Sequence, residues 1–132
     1  MKEELIYKWV AIAAGGIFGY LGGLDKLLTV LITLTVLDYV SGIIAAGVMG
    51  KLKSKVGFKG IAKKVMLFLL VAAAHVVDQA IGSNAMFREA VIFFFIANEL
   101  LSLIENAGNI GLPVPQVLTN AVEILKGKGE GK

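Results

Sequence analysis

Four long apolar runs, parted by connections too short to hold a domain, dominate the sequence. They fall at about 5–24, 27–50, 61–82 and 90–106. Each is near the length that carries an α-helix across a hydrocarbon core of about 30 Å at about 1.5 Å per residue. A soluble domain of 132 residues would need polar outer faces, and these runs offer almost none. Composition points the same way: 57% of residues are hydrophobic, 17% are charged, and the mean hydropathy is +0.80. The expected fold is an all-α integral membrane protein with about four transmembrane helices.

The first run, LIYKWVAIAAGGIFGYLGGL, contains one charge, Lys8, flanked by Tyr7 and Trp9. Amphipathic rings and a snorkelling lysine belong at a membrane interface. Residues 1–8, MKEELIYK, balance two lysines against two glutamates and no cleavage site follows, so the run reads as an uncleaved first span. Only Asp25 and Lys26 separate it from the second run, which predicts a tight antiparallel hairpin.

The second run holds twelve Leu, Ile or Val residues around a lone Asp38. Their insertion gain of about 4–7 kcal/mol exceeds the cost of about 3 kcal/mol for the carboxylate. Next comes KLKSKVGFKGIAKK, six lysines in fourteen residues without an acid. Lysine-rich short loops stay on the cytoplasmic side, so Lys51, Lys53, Lys55, Lys59, Lys63 and Lys64 are expected to fix topology and touch anionic lipid. Both termini then lie inside, giving an N-in/C-in arrangement. Beyond the fourth run, Pro113 and Pro115 end helical continuity, and residues 113–126 read as a cytoplasmic or interfacial amphipathic helix. Residues 127–132, GKGEGK, read as a flexible charged tail. The transmembrane domain is thus expected over 1–112.

Polar groups inside the runs are the candidate functional residues: Asp38 in the second, His75 and Asp78 in the third, Asn98, Glu99 and Ser102 in the fourth. Ionisable groups at such positions face protein or water and line pores, or else join helices by hydrogen bonds alone. Asp38 shares a face of small and polar residues with Thr35, Gly42, Ala45 and Ala46, while the fourth run carries a polar stripe from Asn98 through Ser102 to Asn109. Gly15, Gly19 and Gly23 recur at four-residue steps and, with Gly42, are candidates for close helix packing, within the chain or between copies.

Enzymatic chemistry finds no support. The chain has no cysteine, one histidine, no HExxH and no phosphate-binding glycine loop. The reading is therefore of a protein that is not an enzyme and takes no cofactor or metal. The lysine block has Phe58 as its one aromatic and joins two spans, so nucleic acid is not an expected partner.

Two stretches carry a family resemblance. LDYVSGIIAAGVMGKLKSKVGFKGIAKKVMLFLLVAAAHVVD and FREAVIFFFIANELLSLIENAGNIGLPVPQVLTNAVEILK together resemble the bacteriophage lysis holins, a family that also contains clostridial toxin-secretion holins. The features that carry it are Asp-Tyr-x-x-Gly in the second run, Ser-x-x-Gly-Phe-x-Gly at 54–60, and Asn-Glu-x-x-Ser-x-x-Glu-Asn followed by Pro-x-Pro. The resemblance implies a multi-pass protein of the bacterial cytoplasmic membrane that self-associates. It would open lesions through which an endolysin, with no obligatory direct contact, or a large toxin leaves the cell. The alternative from another class is a small ion channel or proton-coupled transporter subunit that relays protons through Asp38, His75, Asp78 and Glu99.

Overall fold

A computed structural model describes residues 1–129, without the side chains of Val122 and of 125–129. All regular structure among them is helical: α1 Lys2–Tyr20, α2 Lys26–Val48, α3 Ser54–Ile81, α4 Met86–Ile110 and α5 Gln116–Gly129. Two of the helices, α2 and α3, are long and apolar enough to cross a membrane. α5 runs into the tail expected at 127–132, of which residues 130–132 lie outside the described part.

α4 is the organising element. It packs along α2 and α3, while α2 and α3 touch each other only slightly. Arg88 near the start of α4 meets Asp25 at the start of α2, and Asn106 near its end meets Asp38 and Ser41, so α2 and α4 run parallel. α3 runs antiparallel between the same ends, with Lys64 beside Asp38 and Asp78 beside Arg88. The core is a small cluster of Leu21, Leu28, Leu31, Leu67, Val71 and Ile92, with Phe18, Phe68 and Phe95 packed against it. Large apolar side chains otherwise point outward on every helix, among them Trp9, Ile17, Val36, Leu37, Leu69 and Phe93. So much exposed apolar surface suits lipid and would aggregate in water.

Helix ends follow local chemistry. Asp25 caps α2, its Oδ1 accepting from the Leu28 amide at 2.9 Å. Gly82 closes α3 in the left-handed region at φ +68°, which only glycine enters without cost. α4 begins at Ala85, which has no capping side chain; Asp78, reaching across from α3, accepts from the amides of Phe87 at 2.9 Å and Arg88 at 2.8 Å instead. That borrowed cap starts α4 before the expected residue 90, and the helix runs past 106 to Ile110.

Three expectations change. The tight hairpin of the first two runs is not formed: α1 approaches α3 and makes no close backbone contact with α2. The chain turns away at Gly22 and Gly23, at φ +91° and +94°. α1 therefore stops at Tyr20, and Gly23, expected on a helix-packing face, is a turn residue. The lysine block is mostly helix rather than loop, because α3 starts at Ser54 instead of about 61. Lysine is a good helix former, and Gly57 and Gly60 let this first part of α3 lie against the Tyr39 ring, 3.4 Å from where a Cβ would stand at either glycine.

These glycines make opposite predictions. At Gly22 a Cβ would be strained by φ and would stand 2.7 Å from Arg88 Cδ and 2.9 Å from His75 Nδ1, so Gly22→Ala should destabilise by about 1–3 kcal/mol. Gly60→Ala meets only ordinary contact and removes a helix-interior glycine, so it should be neutral or stabilise by up to about 1 kcal/mol. Thermal unfolding of the two variants in detergent distinguishes them.

Candidate functional site

Polar side chains gather in two clusters spaced along the α2–α3–α4 bundle, one part-way down its length and one at the Arg88 end. The first lies mid-way along α2. Lys64 Nζ donates to Asp38 Oδ2 and, at 2.6 Å, to Glu99 Oε2, which ties α2, α3 and α4 together. Asp38 is 8% exposed and Glu99 3%. Asn106 Nδ2 completes the arrangement, donating to Asp38 Oδ1 at 2.9 Å and to Ser41 Oγ at 2.9 Å. Two carboxylates thus share one ammonium. Beside them a cleft of about 600 Å³ opens between the three helices, lined by Asn98, Ser102 and Glu105 on one wall and by Tyr39, Gly42 and Lys63 on others.

The second cluster is built on Arg88, 3% exposed. Its Nε donates to Leu21 O at 2.6 Å, Nη2 to Gly23 O at 2.9 Å, and Nη1 to Asp25 Oδ2 at 2.7 Å. One guanidinium thereby gathers the end of α1, the connecting turn and the start of α2. Planar five-donor geometry suits this task, and an ammonium could not replace it. Asp78 lies alongside, 4% exposed, accepting from Ser83 Oγ and from the first amides of α4. His75 is half-buried in the same neighbourhood, facing Gly22. The Arg88 guanidinium holds the Asp25 carboxyl below the usual carboxylate range, aided by the Leu28 amide and opposed by partial desolvation.

The six polar candidates therefore separate. Asp38, Asn98, Glu99 and Ser102 share the first cluster and its cleft; His75 and Asp78 belong to the second. Leu28, Leu31, Leu67, Val71 and Ile92 lie between the two. Lys64, expected among the lipid-contacting lysines, turns inward as the shared cation, whereas Lys51, Lys53, Lys55, Lys59 and Lys63 are exposed. Arg88, in the polar stretch between the third and fourth apolar runs, is the most connected side chain at its end of the bundle. Gly42 lies in ordinary contact distance of Asn106, on the packed face of α2. Gly15 and Gly19 have open space where a Cβ would stand. The signal that marks Asp25 in the sequence is its place just ahead of the second apolar run, where a helix cap would stand.

An all-helical chain with two helices long and apolar enough to cross a membrane, outward apolar faces and buried charges answered between helices defines a membrane protein class. Residues 16–127 match the model of the bacteriophage holin family, and the chain belongs to that family. It is 32% identical over 113 residues to a probable holin of Bacillus phage phi105, covering 86% of this chain and 84% of the phage protein. It is also 48% identical over 126 residues to an uncharacterized protein of Listeria monocytogenes, covering 95% and 90% of the two chains. An uncharacterized 14.9 kDa protein from the nagH 3' region of Clostridium perfringens is 32% identical over 123 residues, covering 92% and 93%. No solved structure matches.

Removing the shared cation should be costly. Lys64→Met leaves two carboxylates facing each other between helices, and a buried pair broken on one side costs about 3–5 kcal/mol. The uncharged triple variant Asp38→Asn, Lys64→Met, Glu99→Gln should recover most of that loss, measured by denaturant unfolding in micelles. At the other end, the depressed Asp25 pKa means its contribution is present above the unfolded value of about 3.9 and is lost as pH falls through the lower folded value. Acid titration of wild type should thus show a loss of stability below pH about 4 that is smaller in Asp25→Asn.

Proposed function

We propose that the protein is a holin: it resides in the bacterial cytoplasmic membrane with α1 to α4 crossing in alternation and both termini inside, then self-associates and opens lesions. Through these an endolysin, or a large toxin in secretion systems, leaves the cytoplasm without needing to bind the lesion. The observation that carries this reading is the pairing of lipid-compatible outer faces with polar inner faces on the same helices. Asp38, Lys64 and Glu99 answer one another in the resident state. After rearrangement the same faces can meet water in an assembled hole, so neither state leaves a charge against hydrocarbon.

Topology follows from charge. Five exposed lysines lie between residues 51 and 63, at the end of the bundle opposite Arg88. α3, about 42 Å long at helical rise, exceeds the hydrocarbon thickness, so its first turns can carry Lys55 and Lys59 into the headgroups. Gly15 and Gly19, without an intramolecular partner, are the surface offered for association between copies.

The proton-relay alternative is disfavoured by the apolar layer between the clusters, which parts Asp38 and Glu99 from His75 and Asp78.

Inducible expression in a bacterium carrying a cytoplasmic muralytic enzyme without an export signal tests the proposal. Abrupt lysis that requires both proteins, with a cytoplasmic reporter enzyme in the medium, is expected. Depolarisation without enzyme release would mark a small channel instead. In the same assay Asp38→Asn should shift the onset of lysis, while Leu37→Ile, on the outward face, should leave it unchanged.

A further inference from the structure

The cleft beside the Lys64 ion pairs holds more polar groups than the bundle uses. Asn98, Ser102 and Glu105 line it and, among the described residues, have no side-chain hydrogen-bond partner. None of them is sealed away, since every fully buried side-chain polar atom in the described chain is paired. Asn98 and Glu105 are exposed, and Ser102 is half-buried. An amide, a hydroxyl and a carboxylate left unpaired against hydrocarbon would each cost several kcal/mol, so at membrane depth such groups line a water-filled cavity.

We propose that this cleft is an aqueous vestibule of the single subunit, entered from the lysine-rich side and dead-ended at the apolar layer. The inference rests on the membrane placement proposed above and not on lesion formation. The geometry supports each part. The polar lining steps along one face of α4 from Glu99 through Ser102 to Glu105 and Asn106, toward the part of the cleft lined by Leu52, Lys53 and Val56. A volume of about 600 Å³ holds on the order of 20 waters at about 30 Å³ each. Beyond Asp38, Lys64 and Glu99 the next buried residue inward is Thr35, whose hydroxyl is spent on the Ile32 carbonyl at 2.7 Å, and past it lie Leu31, Leu67, Val71 and Ile92, whose side chains offer no polar atom to continue a water chain. The occupants are therefore water and small hydrated cations, drawn by Glu99 and Glu105 and moderated by Lys63 and Lys64.

The sequence contains no cysteine, which makes thiol accessibility the direct test. In inside-out membrane vesicles containing the full chain, single variants Asn98→Cys and Ser102→Cys should react with a charged, membrane-impermeant thiol reagent. Leu100→Cys, beside Glu99 on the outward face, and Leu37→Cys, beside Asp38, serve as controls at the same depth. The vestibule predicts labelling about tenfold or more faster than the controls, because a thiol in apolar surroundings is held un-ionised. It also predicts no such difference in right-side-out vesicles. Asn98 and Ser102 make no bond whose loss would unfold the chain, and Glu105→Cys at the outer part of the cleft provides a third position. Equal rates at cleft and control positions overturn the proposal. If both are slow, a neighbouring copy or lipid fills the cleft; if both are fast, the membrane placement itself has failed.

Discussion

Charge can be carried inside this bundle only where another helix answers it, and Lys64 is the answer to two carboxylates at once. Without it α2 and α3 would have little to hold them together, for their direct contact is slight and α4 mediates the rest. Hydrophobic packing supplies less direction here than in water, because lipid is as good a neighbour for leucine as another leucine is. Helix register therefore depends on the ionic and hydrogen-bonded contacts at Lys64 and Arg88, with the Leu28, Leu31, Val71 and Ile92 layer filling the space between.

The sequence made the helical class legible, because length and apolarity of a run need no knowledge of neighbours. It also located the charged positions that matter in α2 and α4: Asp38 and Glu99 stand out against their surroundings. What could not be read was which lysine of six turns inward, since Lys63 and Lys64 are adjacent and differ only in the face of α3 they occupy. Likewise Arg88 stands, in the sequence, within the short polar stretch that parts two apolar runs, and its reach from the first turn of α4 to Leu21 and Gly23 joins residues more than sixty apart in the chain. The hairpin of the first two runs failed for a related reason. Loop length limits how far two helices can separate, but positive φ at Gly22 and Gly23 decided the direction in which the chain left α1.

Several features of the family resemblance acquire a physical account. Tyr39, following Asp38, rests on the surface that Gly57 and Gly60 leave free, so Asp-Tyr and Gly-Phe-x-Gly are two halves of one contact. The Asn-Glu-x-x-Ser-x-x-Glu-Asn stripe supplies a carboxylate to Lys64 at Glu99, an amide to Asp38 at Asn106, and cleft lining between them. Such contacts join helices through a few directional bonds and leave the outer surface free to meet lipid or another subunit.

The separation between the two polar clusters has an electrical consequence. Counting residues from Asp25 to Asp38, from Lys64 to Asp78 and from Arg88 to Glu99 gives an apolar layer about 16–21 Å thick at helical rise. A bare hydrocarbon core is about 30 Å. In the proposed membrane placement, with polarisable groups at both ends, a transmembrane voltage would fall mainly across this thinner layer, and the local field would rise by roughly half. A unit charge displaced from Lys64, Asp38 or Glu99 to the level of Arg88 would then traverse most of that drop, worth about 2.3 kcal/mol per 100 mV. The energised membrane would in this way act directly on the contacts that hold the helices in register.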